Sequence, residues 1–344
     1  MPLSPLARPA QLVWYARAAQ LTTLGLICGR GVLNREFQGE PVNLVSVRDS
    51  VTRDVREGHI LHTLPNLIRE SDAATALWAR SRGAPSRLLA LGRTYQSVSV
   101  VVRRDSPIET LKDIAGFRWS VPVESGPFSP ALVRAHRAWY SLTDYLDLPL
   151  EQSRLTEVAT GDPMSRAGHV GEQELGALIR RETDVALLFG AKGLEQARHP
   201  QVREVYRFSP SMAWSDPRLS GLVELRAVSV DEGLLDADPR IVRRILRRLV
   251  EASLWANAFP SEAYVQAAYE TGVYLNDATQ AYAPLIGESA ALSLNFRALK
   301  DLDALSQFMA TLGHMALAVD CPSWAAPNLL SEILANLPSP SIAC

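Results

Sequence analysis

Arg17, Arg48 and Arg93 each follow a run of strand-forming residues, and that placement is the first chemical feature of the sequence. A guanidinium offers a planar fork of N–H donors matched to two oxygens of a carboxylate, sulfinate or sulfonate. Three of them at strand ends therefore point to capture of an organic anion. Tyr15 next to Arg17, Gly92 and Thr94 on either side of Arg93, and Lys192 after a later strand are expected to line the same opening. Ser125 and Gly126 open a helix whose backbone N–H groups could also face an anion. His59 is a candidate general acid or base because free imidazole titrates near neutrality. His62 stands close enough to form a two-histidine pair with it, but no third ligand is spaced for zinc, so no metal is expected. Trp14, Tyr15, Tyr95 and Phe128 could supply an aromatic wall.

These residues need a scaffold that brings strand ends together. Residues 11–16 read as a strand, 19–33 as an amphipathic helix and 42–47 as a second strand, a β-α-β opening. A helix is expected over 65–80, a buried strand over 87–92 and a further strand over 95–103, ending at the turn Asp105-Ser106-Pro107. A second β/α unit then begins, with strands at 118–123 and 184–189 and the sequence Gly190-Ala191-Lys192-Gly193 read as a turn. Asp238-Pro239 starts a helix whose stripe is Ile241, Val242, Ile245, Leu246, Leu249 and Val250, with Arg240, Arg243, Arg244, Arg247 and Arg248 on the solvated side. Two α/β lobes result, one discontinuous over 1–103 and 226–344, the other over 104–225. In such folds a ligand lies at the carboxyl ends of the strands, between the lobes.

Composition narrows the function. With 344 residues the chain is long enough for two such lobes. Lys and Arg number 35 against 37 Asp and Glu, so no global charge attracts nucleic acid or an anionic membrane, and neither partner is expected. The three cysteines, Cys28, Cys321 and Cys344, form no CxxC motif, which disfavours a disulfide framework and suits a reducing compartment. The start of the chain reads poorly as a secretory signal, and Ile27 before Cys28 is not the small residue of a lipoprotein site, so a cytoplasmic location is expected. Oligomeric state is not legible.

The segment Val-Val-Val-Arg-Arg-Asp-Ser-Pro-Ile-Glu-Thr-Leu-Lys-Asp-Ile-Ala-Gly-Phe-Arg-Trp-Ser-Val-Pro, residues 100–122, resembles the crossover region of periplasmic solute-binding proteins for nitrate, sulfonates and taurine. The resemblance implies their type II two-lobed fold. Within that superfamily the chain is similar to the 2-(2'-hydroxyphenyl)benzenesulfinate desulfinases. Ser323-Trp324-Ala325-Ala326-Pro327 and Leu254-Trp255-Ala256 carry the likeness, and His59, Pro65 and Arg69 match an active-site His, a following Pro and an active-site Arg. By that match His59 would move a proton and Arg69 would hold the substrate anion. Two positions depart from the pattern. Arg17 stands at or beside the place of the nucleophilic cysteine, and Asp72 replaces a glycine that supports the site. The resemblance thus implies a lyase or hydrolase without a cofactor, desulfinase- or decarboxylase-like, in a biosynthetic or degradative route. The alternative is a non-catalytic binding protein for an organic anion, in ABC transport or sensing.

Overall fold

The computed structural model describes residues 11–18, 20–149, 154–160 and 172–337. In chain order its strands are β1 (Gln11–Arg17), β2 (Val42–Ser46), β3 (Leu67–Asp72), β4 (Ser86–Thr94), β5 (Val98–Arg103), β6 (Arg118–Val123), β7 (Arg154–Ala159), β8 (Val185–Phe189), β9 (Val202–Phe208), β10 (Glu224–Asp231) and β11 (Leu292–Ser293). They build a six-stranded sheet, β11-β4-β10-β3-β1-β2, and a five-stranded sheet, β7-β6-β8-β5-β9. Both sheets follow one plan. In each, a central strand (β1, β6) lies between its successor (β2, β7) and the third strand (β3, β8). Beyond the third comes one antiparallel strand (β10, β5), and then the fourth (β4, β9). The chain enters the second sheet through its antiparallel strand and returns to the first through the other.

That exchange corrects one expectation. Residues 98–103 were assigned to the first lobe, but β5 is hydrogen-bonded to β8 and β9, so the crossover is the short link at residues 95–97. Periodicity shows that a strand exists; its partners are set by distant residues, which periodicity does not contain. Residues 65–80 are likewise not one helix. Leu67–Asp72 is β3, and only Ala73–Ser81 is helical, started by Asp72, whose carboxylate accepts from the N–H groups of Ala74 at 2.6 Å and Thr75 at 3.4 Å. The charged pair Arg69-Glu70 hides the strand from a hydropathy reading because both side chains are fully buried. The sequence at 190–193 is the first turn of a helix, Gly190–Gln196, rather than a free turn.

Helices cover both faces of the first sheet. On one, Thr23–Gly29, Pro239–Ala258 and Ile286–Ala290 pack against Val13, Ile68, Val228 and Val230. On the other, Ala73–Ser81, Phe296–Thr311 and Cys321–Trp324 enclose Leu88, Leu91, Leu225 and Ala227. Pro239–Ala258 buries the expected stripe, and each of its five arginines has a carboxylate: Asp238, Glu332, Glu36 with Glu40, Glu251, and Glu36 with Glu251 in order. Alternation along β3 sends Leu67 and Arg69 to the helix Arg53–Leu61 and Ile68 and Glu70 to the helix Thr23–Gly29. The strand thereby carries opposite charges on opposite faces.

Candidate functional site

The strand-end arginines do not share one cleft. Arg17 donates from Nε to Glu270 Oε1 at 2.6 Å and from Nη1 to Ser46 Oγ at 3.0 Å. Arg48 reaches the same Glu270 oxygen at 2.7 Å, and Asp49 lies 3.9 Å from Arg17. Glu270 is buried on the helix Pro260–Thr271, so these two guanidiniums are neutralised from within. Tyr15 and Cys28 stand beside them. Burial pushes both the phenol and the thiol up to about 12, against the opposing pull of Arg17. Neither group ionises at neutral pH, and Cys28 lies inside a helix as expected.

Arg69 is different in kind. It is fully buried in β3 and has no carboxylate partner among the described residues. Its Nη1 donates to the backbone carbonyls of His59 and Ile60, the latter at 3.3 Å, while Nε and Nη2 have no partner. Burial alone lowers its pKa to about 10. His59 and His62 lie beside it at the end of the helix Arg53–Leu61. Burial first, and the nearby Arg69 charge second, hold His59 down at about 4 and His62 at about 3, so both rings are neutral. His59 Nδ1 contacts the Arg56 carbonyl. Only the N–H form of that nitrogen can face a carbonyl oxygen, which leaves the Nε2 lone pair free to accept a proton. Both ring nitrogens of buried His62 lack partners.

The other expected residues go elsewhere. A Cβ on Gly92 would fall 2.5 Å from Arg226 Nη2, so this glycine makes room for a buried side chain. Thr94 is fully buried with its hydroxyl unpaired, and Arg93 is tied to Asp301. Lys192 pairs with Glu195 at 2.8 Å on its own helix, so its charge is already neutralised locally. Ser125 and Gly126 remain exposed in the loop after β6, where Gly126 has φ +145. In the same loop Phe128 stacks on Trp78 across the lobes at 5.2 Å.

Sequence reading missed the acidic groups that fill the cleft. Glu70 accepts from Leu24 N at 2.6 Å, Thr23 N at 3.1 Å and Thr23 Oγ1 at 2.8 Å, and it is paired with the equally buried Arg226. The anion position at the start of that helix is therefore occupied by the protein itself. Glu224 accepts from Gln20 at 2.5 Å and Gln96 at 3.5 Å. With Asp72, Arg134 and Arg137 it surrounds a small inter-lobe cavity. Burial, with Glu224 close by, pushes the Asp72 carboxyl well up, against the pull of Arg134 and Arg137. A carboxyl so placed can donate a hydrogen bond. The missing signal was pairing across β3 and β10, which brings residues 70 and 226 together.

No family model matches the chain. It is 26% identical over 313 residues to the 2'-hydroxybiphenyl-2-sulfinate desulfinases of Rhodococcus erythropolis and Rhodococcus qingshengii, covering 80% of this chain and 83% of the relative. Among solved structures it superimposes on a cysteine-to-serine mutant of DszB in complex with biphenyl-2-sulfinic acid with a TM-score of 0.76 at 19% identity, over 95% of this chain and 100% of that one. The periplasmic aliphatic sulphonate-binding protein SsuA of Escherichia coli gives a TM-score of 0.62 at 11% identity, over 94% and 92%. A putative sulfonate-binding protein of Methylobacillus flagellatus gives 0.69 at 13%, over 95% of both chains.

Proposed function

We propose that this chain, a two-lobed protein of the periplasmic-binding-protein fold similar to a sulfinate desulfinase, captures an aromatic organic anion at Arg69 and cleaves the bond next to the anionic group. The observation that carries this reading is a buried guanidinium whose Nε and Nη2 have no partner, and which has no carboxylate beside it, among the described residues. An isolated buried charge is unfavourable unless a partner of opposite sign completes it. A sulfinate or carboxylate would supply that charge and take the place of the His59 and Ile60 carbonyls. The helix Arg53–Leu61 has to shift to admit it.

Chemistry then falls to His59. Its free Nε2 takes a proton from water as the water adds to the anionic centre, and the resulting imidazolium returns that proton to the departing ring carbon. The overall change is ArSO2⁻ + H2O → ArH + HSO3⁻, or ArCO2⁻ + H2O → ArH + HCO3⁻. Neither equation needs a cofactor. Cys28 takes no part because its thiol stays protonated. An intracellular site of action belongs to this proposal. Processing the chain to begin at Cys28 would remove β1, the strand between β2 and β3.

Incubation with biphenyl-2-sulfinate and biphenyl-2-carboxylate, followed by measurement of biphenyl, sulfite and bicarbonate, tests the reading. Turnover by wild type and its fall by roughly 10²–10⁴-fold in His59→Ala are expected. The raised Cys28 thiol also favours a second reading, a non-catalytic binding protein. Saturable binding of these anions with no product would select it, and no binding at all would overturn both.

A further inference from the structure

A groove whose lining does not include Arg69, His59 or His62 runs between the lobes along the helix Phe296–Thr311. Its volume is about 620 Å³, within the range of small-molecule sites. The first lobe contributes Arg93, Tyr95 and Arg297, and the second contributes Tyr140, Trp214 and Arg218. A smaller hollow of about 170 Å³ continues it and shares Arg93, Tyr95, Trp214 and Arg297.

Three features give the groove a chemical preference. Trp214 is 52% exposed and meets Tyr95 edge-on, with ring centroids 5.0 Å apart, leaving an aromatic face to the groove. Arg93 and Arg218 are each held by a carboxylate, Asp301 and Asp216, but Arg297 has no hydrogen bond or ion pair among the described residues. Arg297 also sits in the first turn of its helix, and that turn contains no acidic residue. A cation there opposes the helix dipole, so a negative charge at that point would be attracted by both. Asp301 and Asp144 also line the groove and Glu288 lines the smaller hollow; Arg93 engages Asp301, and Arg297 is the guanidinium left without a carboxylate among the described residues.

We infer that this groove is a second binding site, for a planar aromatic monoanion whose ring lies against Trp214 and Tyr95 and whose carboxylate or sulfonate meets Arg297. Its walls come from both lobes, so an occupant bridges them. The inference does not depend on the function proposed for Arg69.

Calorimetric titration with 2-naphthalenesulfonate tests it. Saturable binding is expected to survive in Arg69→Met. In Arg297→Glu and in Trp214→Ala the affinity should drop at least tenfold. Both side chains are exposed, and thermal melts matching wild type will show that the variants fold. The neutral analogue 2-naphthol should bind at least tenfold more weakly, and 0.5 M salt should weaken the anion, since the guanidinium faces solvent. Absence of binding to wild type overturns the inference. So does loss of all binding in Arg69→Met, unchanged affinity in Arg297→Glu, or equal affinity for 2-naphthol.

Discussion

Arg17 and Arg69 end up on neighbouring strands of one sheet, β1 and β3, where Arg17 pairs with Glu70 and Ala16 with Arg69, yet their surroundings are opposite. Arg17, with Arg48, shares the buried carboxylate of Glu270, and their donors go to Glu270 and Ser46. Arg69 is more deeply buried and faces two backbone carbonyls and two neutral histidines. The first arrangement is complete without a ligand and holds β1 and β2 to the helix Pro260–Thr271. The second is unfavourable alone, and under the proposed function an anion would complete it. Of these two arginines on neighbouring strands, the one left without a counter-charge is the stronger candidate for function, because stability would not select an unpaired charge.

The largest effect is expected on the compensated side. Glu270→Ala leaves two neighbouring guanidiniums with only the exposed carboxylate of Asp49, 3.9 Å from Arg17, as counter-charge, and chemical denaturation should show a loss of about 2–3 kcal/mol. Arg48 is partly exposed and will relax into water, so the value sits below that of a fully buried pair. Adding Arg17→Met to this variant should restore much of the stability. Equal loss of anion binding in the Glu270 variant, measured where it is still folded, would break the contrast.

Arg69→Met should behave in the opposite way. It removes a buried charge with no carboxylate partner among the described residues, held only by two backbone carbonyls, so the ligand-free protein is expected to be as stable as wild type or about 1 kcal/mol more so. Binding of biphenyl-2-sulfinate should weaken at least tenfold, with Arg69→Lys intermediate, because an ammonium lacks the planar fork. A marked drop in stability would mean that the guanidinium is a structural tie to the His59 and Ile60 carbonyls and not a vacant receptor.

The contrast was only half legible in the sequence. Arginines at strand ends could be found because β-rich runs stop at Arg17, Arg48 and Arg93. Glu270, 253 positions from Arg17, could not be assigned to it without knowing that the helix Pro260–Thr271 folds back over β1. The same limit hid Arg226 from Glu70 and Asp301 from Arg93. By contrast, the helix Pro239–Ala258 was readable to its cap, since Asp238, Pro239 and the apolar stripe are local signals. β3 was misread for a related reason. Arg69 and Glu70 look like solvent-facing helical residues until their partners on either face are known. The resemblance to the desulfinases singled out His59 and Arg69 together, and the structure brings the two into contact through the His59 carbonyl rather than its ring.

Acid titration gives a further check on the Arg69 side. His59 and His62 ionise at about 4 and about 3 in the folded protein, below the ordinary 6.5, because burial and the Arg69 charge disfavour a second cation. As pH falls below 6.5 the unfolded chain takes up protons that the folded one refuses. Stability contributed by the neutral rings is therefore complete above 6.5 and is lost progressively down to about 4 and below. Asp72 runs the other way. Its raised carboxyl stays protonated in the fold while the unfolded group ionises, so its contribution is present at low pH and lost as pH rises through its folded pKa. Thermal melts between pH 7 and 4.5 separate the two. Wild type should lose stability on acidification, Asp72→Asn should lose more, and a His59→Gln, His62→Gln double variant should lose less. Arg69→Met should also flatten the acid limb, because without the neighbouring guanidinium both rings ionise closer to 6.5. An acid limb unchanged by Arg69→Met would show that burial alone sets these rings, and that the positive field assigned to Arg69 does not reach them.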